Sequence, residues 1–82
     1  MYKFNGKFLR KNIIKKADEY ETLSHGVRSK IIHDLMITKQ TLSNWERSKN
    51  APRIEQIFWL KEFFGLDCID CFFEKEKFNI EV

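Results

Sequence analysis

Hydrophobic residues recur along much of the chain at intervals of three and four positions, which is the spacing of a helix that buries one side. Three such stripes predict helices over about residues 7–21, 26–35 and 53–64. Their inward-facing residues are Leu9, Ile13, Ala17 and Tyr20, then Val27, Ile31 and Leu35, then Ile54, Ile57, Leu60 and Phe64. We expect Gly65 to end the last of these helices, because glycine adopts the left-handed conformation at little cost.

A shorter helical segment begins at Thr38, after a tight turn that follows the second helix. The Thr38 hydroxyl can accept a hydrogen bond from the unpaired amides of the next turn, so we expect it to cap this helix. Leu42 and Trp45 are three residues apart and are predicted to face the core together. Residues 48–52 are predicted to form a loop, because they combine Ser, Asn and Pro.

The two ends of the chain carry other patterns. A fifth, short helix is expected over about residues 68–74, capped by Asp67 and buried through two phenylalanines. Residues 2–4 and 77–82 alternate between polar and apolar, which permits a pair of short terminal strands, with a frayed tail as the alternative.

The predicted fold is all-α: a single compact five-helix domain over residues 1–82, with a tail at 75–82. Of the 82 residues, 43% are hydrophobic and 33% are charged, which is typical of a globular domain rather than a disordered chain. This length provides one core and excludes two packed catalytic lobes. The chain lacks an apolar run of roughly 18 residues that could span a membrane, an apolar signal-peptide core and the cysteines of a secreted scaffold. We therefore expect a soluble, cytoplasmic protein.

Charge is distributed unevenly around a net value of +3. Residues 1–33 carry 8 basic and 3 acidic side chains, whereas residues 67–82 carry 2 basic and 5 acidic ones. A basic front and an acidic end suit a polyanion that approaches from one side. An ordinary solvated surface is the alternative, and charge alone does not choose between the two.

The helix at 38–47 has an unusual outward face, made almost entirely of hydrogen-bonding groups. Its members are Lys39, Gln40, Thr41, Ser43 and Asn44. Gln and Asn amides pair with adenine, Lys donates to guanine, and the Thr methyl group contacts the thymine methyl. Two helices joined by a tight turn across about residues 28–47 would place the start of the second helix in the major groove of DNA.

Residues 28–73 resemble the helix-turn-helix domain of the phage-repressor (Cro/repressor, XRE-type) family. The strongest stretch is Thr38 to Pro52, TKQTLSNWERSKNAP, with its apolar-Ser-x-aromatic-Glu string and basic loop ending in Pro. Three positions depart from the family pattern. Met36 and Ser48 stand where the family usually or often has glycine, and Ile32 stands where it usually has alanine.

The resemblance implies a role for each matching residue. Residues implied to contact bases are Lys39, Gln40, Thr41 and Asn44, and those implied to contact phosphates are Arg28, Thr38, Ser43, Lys49 and Arg53. Glu46 is implied to pair with a basic residue of the first helix, Lys15 or Lys16. The implied function is a sequence-specific transcriptional regulator that binds double-stranded DNA. The alternative is a protein-interaction adaptor or antitoxin-like module on the same fold.

A two-fold operator calls for a homodimer, and Trp59 and Phe63 are the candidate surface for it. They are one helical turn apart and lie off the inward stripe. We expect them to be exposed and to mediate self-association, alone or with the terminal segments. The alternative is that the ends of the chain cover them.

Cys68 and Cys71 form a C-x-x-C pair. Zinc would need two further ligands and a thioredoxin-like function would need a βαβ context, so we expect both to be small hydrophobic residues. His25 and His33 are expected at a cap and at the surface. No catalytic set can be assembled from the sequence. We therefore expect a protein that is not an enzyme and that carries no cofactor and no metal.

Overall fold

The computed structural model describes residues 2–75, which are mostly helical with one small sheet. The elements are β1 (Tyr2–Phe4), α1 (Gly6–Glu19), α2 (Ser24–Leu35), α3 (Lys39–Glu46), α4 (Ile54–Phe64), a 3₁₀ turn (Ile69–Phe72) and β2 (Phe73–Lys75). We refer to Ile69–Phe72 as the closing turn. Helix α1 packs against α2, α3 and the closing turn, and α4 also packs against the closing turn.

Local side chains fix where the helices begin and end. The Asn5 side chain accepts a hydrogen bond from the Phe8 amide (3.1 Å) at the start of α1. The Thr38 hydroxyl accepts one from the Thr41 amide (3.1 Å) at the start of α3, which confirms the predicted cap. Gly65 ends α4 with a φ of 68°, as predicted.

One core joins all the helices to the two ends of the described part of the chain, residues 2–75. Its buried hydrophobic residues are Phe4, Leu9, Ile13, Ala17, Val27, Ile31, Leu42, Trp45, Ile57, Leu60 and Phe72. Most of the predicted inward stripes are therefore confirmed. Tyr20 and Ile54 are exceptions, because 68% of Tyr20 and 54% of Ile54 is exposed. Tyr20 lies just past the end of α1 and Ile54 is the first residue of α4, so both lie at a helix end that extends beyond the core.

The predicted fifth α-helix is wrong. Among residues 2–75 there are four α-helices, and the segment expected to form the fifth divides into the closing turn and β2. Strand β2 pairs antiparallel with β1, so that Phe4 lies opposite Phe73. Phe72, the last residue of the closing turn, is fully buried, whereas β2 is half-buried at Phe73 and exposed at Glu74 and Lys75.

Burial of Phe72 explains this arrangement. Its ring stacks on Phe4, with 5.9 Å between ring centroids, and meets the edge of Phe8 at 5.3 Å. Asp67 does not cap the segment, because Cys68 precedes the closing turn and makes no side-chain capping bond. The predicted strand at 77–82 lies outside the described residues.

The first residues of α1 are wedged against the end of α3. The Asn5 amide donates to the Phe72 carbonyl (2.6 Å), and the Gly6 amide donates to Ser48 Oγ (2.9 Å). A Cβ atom on Gly6 would clash with the backbone carbonyl oxygens of Trp45 and Glu46. Glycine at this position therefore allows the two helices to approach each other.

We expect Gly6→Ala to lower the free energy of unfolding by about 1–3 kcal/mol, because backbone atoms cannot move aside as a side chain can. Urea unfolding followed by circular dichroism measures the change. The control is Gly26→Ala, where the new Cβ would meet only the tip of the Thr22 side chain at 3.3 Å. This control should be neutral or stabilising by up to about 1 kcal/mol. Equal stability of Gly6→Ala and the wild type would contradict the close packing of Gly6 against the end of α3.

Candidate nucleic-acid interface

Helix α3 is held from one side and open on the other. Leu42 and Trp45 are 1% and 3% exposed, so the inward face is buried as predicted. On the opposite face Lys39 and Gln40 are exposed. The remaining residues of that face, Thr41, Ser43 and Asn44, are half-buried. The structure thus brings together the candidate base-contacting residues in the first turns of one helix.

The two amides on this face are hydrogen-bonded to each other. Gln40 Nε2 donates to Asn44 Oδ1 at 3.0 Å, across one turn of the helix. This bond uses one donor of Gln40 and one acceptor of Asn44. The Gln40 oxygen and the Asn44 nitrogen are left to face a partner as an acceptor and a donor. Each amide therefore keeps one group of the kind that reads adenine, an acceptor on Gln40 and a donor on Asn44.

An ion pair joins α2 to the last residue of α3. Arg28 donates to Glu46 twice, from Nε to Oε2 (3.1 Å) and from Nη2 to Oε1 (2.8 Å). A third bond runs from Arg28 Nη1 to Ser24 Oγ (3.1 Å). Only 28% of the Arg28 side chain and 12% of the Glu46 side chain is exposed. Hydrogen bonding to Glu46 raises the pKa of the Arg28 guanidinium and outweighs the opposing effect of desolvation.

The predicted partner of Glu46, Lys15 or Lys16, is therefore wrong. Lys16 instead donates from Nζ to the Phe63 carbonyl (2.7 Å), on another side of α1, and Lys15 is exposed. Arg28 reaches Glu46 because α2 and α3 pack against each other directly. A phosphate contact by Arg28 stays a prediction, and only its remaining N–H groups are available to make one.

The turn and the loop on either side of α3 both use the left-handed conformation. Met36, which ends α2, has a φ of 54° and a ψ of 45°. Ser48, in the loop after α3, has a φ of 58°. These are the two positions where the resemblance leads to an expectation of glycine, and glycine is the residue best suited to positive φ. The third departure, Ile32, is half-buried against the core.

A cleft of about 590 Å³ lies where α1, α2 and α3 meet. Cationic side chains line much of it: Arg10, Arg28, Lys39 and Arg47. Ser43 and Glu46 also line the cleft, so it adjoins the outward face of α3. Arg10 and Arg47 are exposed and were missed by the sequence analysis as candidate phosphate contacts. Arg10 lies outside the stretch that resembles the family, and the only signal for it was the excess of basic residues in the first third of the chain.

Three of the predicted phosphate-contacting residues lie outside this cleft. Lys49 and Arg53 are exposed in and after the loop that follows α3, and Arg53 Nε is 3.6 Å from Glu55. Thr38 is exposed, and its hydroxyl lies 2.9 Å from that of Thr41. Ser43, by contrast, lines the cleft. The contacts themselves stay predictions.

Trp59 and Phe63 are half-buried instead of exposed. Their rings stack with 4.8 Å between centroids and pack against the core. The ammonium group of Lys16 lies 4.5 Å from the centre of the Phe63 ring and covers part of it. The large apolar residues that α4 does expose are Ile54 and Phe58, which are 54% and 50% accessible and lie one turn apart.

The prediction that the two cysteines pack as small hydrophobic residues is wrong, because both are exposed. Within residues 2–75, no three His, Cys, Asp or Glu side chains come close enough together to hold a metal ion. His25 and His33 are also exposed. No helix in this part of the chain has the length and apolar character needed to cross a membrane.

We expect Met36→Gly to raise the free energy of unfolding by about 1 kcal/mol, because it removes the steric penalty of a side chain at positive φ. Met36 is 91% exposed, so the substitution loses little buried surface. Ser48→Gly is the matched comparison. It also relieves a positive φ but removes the acceptor of the Gly6 amide, so its gain should be smaller. Denaturant unfolding of both variants measures the difference, and destabilisation by Met36→Gly would contradict this account of the turn.

No family model matches the chain, and no curated protein and no solved structure matches it.

Proposed function

We propose that this chain is a sequence-specific DNA-binding transcriptional regulator, and that it inserts α3 into the major groove of a two-fold operator. One observation carries the proposal. Helix α3 buries Leu42 and Trp45 on one face and presents the linked amides of Gln40 and Asn44 on the other. A helix held in this way presents groups that can hydrogen-bond to base edges in a fixed orientation, which is what direct readout of bases requires.

The orientation of α3 is fixed by more than its apolar face. Arg28 clamps Glu46 at the end of the helix with two hydrogen bonds, and Thr38 caps its beginning. Both ends of the helix are therefore held while Lys39, Gln40 and Asn44 face outward. Groups that are already oriented lose less entropy on binding than flexible ones do.

The backbone around α3 supports the resemblance to the phage-repressor family. Met36 and Ser48 differ from glycine in residue type but adopt the left-handed conformation that glycine serves. The two departures thus leave the turn and the loop with a glycine-like backbone. This agreement favours a helix-turn-helix geometry for α2 and α3.

Phosphate contacts are assigned to two groups of residues. The cleft beside α3 supplies Arg10 and Arg47, in addition to Arg28 and Ser43. Lys49 and Arg53 supply cations after α3, and Thr38 supplies its hydroxyl at the start of the helix. Each phosphate neutralised makes the binding constant more sensitive to salt, without adding sequence preference.

The proposal includes a homodimer, because a two-fold operator presents half-sites about 34 Å apart, one turn of DNA. Since Trp59 and Phe63 are half-buried, the surface of α4 offered to a second copy is that of Ile54 and Phe58, with the terminal segments as a further contribution. The same exposed pair is the observation that favours the second candidate function. On that account, the chain is an adaptor or antitoxin-like module that binds another protein.

Selection from a random DNA pool at low salt tests the proposal. We expect one two-fold motif to be enriched, because Gln40 and Asn44 each discriminate bases by about 1–3 kcal/mol. The double variant Gln40→Ala/Asn44→Ala should keep its fold and lose the motif. Glu62→Ala, on the exposed side of α4, is the control and should enrich the same motif as the wild type. Absence of binding at low salt would refute DNA binding and favour the adaptor.

The salt dependence of binding separates phosphate contacts from base contacts. Arg10→Ala and Arg47→Ala should each reduce the slope of log K against log salt by about 0.9, with the enriched motif unchanged. Lys30→Ala removes an exposed cation of α2 that pairs with Asp34 and does not line the cleft. This control should leave the slope unchanged. A slope in Arg10→Ala equal to that of the wild type would remove Arg10 from the interface.

A further inference from the structure

The exposed cysteine pair has no part in the proposed DNA interface. Cys68 directly precedes the closing turn and Cys71 lies within it. Their sulfur atoms are 3.7 Å apart. A 3₁₀ turn brings side chains three residues apart above one another, which explains why the two thiols meet. Both thiols are exposed, so a small molecule can reach them.

This geometry is close to that of a disulfide and incomplete as a metal site. A disulfide bond is about 2.05 Å long, so closure moves the sulfur atoms together by roughly 1.7 Å. A structural zinc ion needs four ligands. The residues between 2 and 75 provide no third metal-binding side chain beside the two sulfurs. A disulfide needs only these two sulfurs, whereas a structural zinc site would need two further ligands.

We propose that Cys68 and Cys71 form a reversible intramolecular disulfide, so that the closing turn is a thiol–disulfide site for low-molecular-weight disulfides such as oxidised glutathione. The site is independent of DNA binding. The disulfide acts on the closing turn itself. It cross-links the exposed side of the turn, and Phe72 holds the buried side in the core.

The exchange takes place in two steps. The Cys68 thiolate attacks one sulfur of oxidised glutathione, a mixed disulfide forms, and one glutathione leaves as a thiolate that takes up a proton. Cys71 then loses its proton to water and attacks Cys68 Sγ, and the second glutathione leaves in the same way. Two cysteine thiols lose two electrons, which reduce one glutathione disulfide to two thiols.

The pKa of Cys71 affects the second step of this exchange. The hydrogen bond between the two sulfurs raises the pKa of the Cys71 thiol. Thiol oxidoreductases depend on a lowered pKa for fast attack. The raised pKa slows the second step, in which Cys71 attacks the mixed disulfide.

Closure of the disulfide acts on the contact between the closing turn and the start of α1. Cys71 is adjacent to Phe72, whose carbonyl accepts the Asn5 amide at 2.6 Å. The next residue, Gly6, donates to Ser48 after α3. A cross-link in the closing turn restricts its opening, so exchange of the Asn5 amide with solvent reports directly on the disulfide.

Thiol trapping on the full chain tests the proposal. The reduced protein is equilibrated in buffers of increasing oxidised-to-reduced glutathione ratio and quenched with acid. It is then treated with N-ethylmaleimide, and the mass of the intact chain is measured by mass spectrometry. We expect a monomer that is 2 Da lighter than the reduced chain and takes up no maleimide. Cys68→Ser and Cys71→Ser should show only a glutathione adduct or one maleimide. These variants replace exposed side chains, and circular dichroism checks their fold.

Three results would overturn the proposal. In the first, both thiols still take up maleimide at every glutathione ratio. In the second, the oxidised product is a disulfide-linked dimer. In the third, the reduced protein, incubated with zinc or copper(I) alone and then desalted, retains the metal in a stoichiometric and cysteine-dependent way.

Amide hydrogen exchange gives the second readout. Oxidation should slow exchange of the Asn5 amide on the order of tenfold, because the cross-link reduces the entropy gained when the turn opens. Cys68→Ser/Cys71→Ser should exchange at one rate in oxidising and reducing buffers. Equal rates in oxidised and reduced wild type would show that the disulfide does not brace the turn.

Discussion

An eight-residue helix is not stable in water by itself, because too few hydrogen bonds offset the cost of its first turn. The form of α3 therefore depends on the burial of Leu42 and Trp45, and everything proposed for its outer face depends on that burial. The Arg28–Glu46 pair has a different role. It is only partly shielded from water, so it contributes orientation more than stability. Apolar burial places the helix, and the ion pair joins its last residue to α2.

Helix positions were predictable because burial of one face leaves a period in the sequence. The period was misleading at Tyr20 and Ile54, which lie three residues beyond the outermost buried hydrophobic residues of α1 and α4, Ala17 and Ile57. It was misleading again at residues 68–74, since a short apolar run fits a strand as well as a helix. Contacts with the distant start of the chain, such as the stacking of Phe72 on Phe4, decide between the two.

The candidate site was predictable where it is local and not where it joins separate elements. The outward face of α3 and its Thr38 cap follow from residues close together in sequence. The partner of Glu46 does not, because several cations are within reach of an acidic side chain and only packing selects Arg28. Arg10 is a similar case: it comes from α1 and reaches the cleft only through the packing of three helices.

The pairing of β1 with β2 gives the fold a long closing contact. Phe4 and Phe73 are neighbours in the sheet although almost the whole described chain separates them. Bringing such distant segments together requires loop-closure entropy that local helix contacts do not. Loop-closure entropy therefore favours association of the helices before the sheet forms. During synthesis α3 is made before the closing turn and β2, so the sheet cannot form until residues 69–75 have been added.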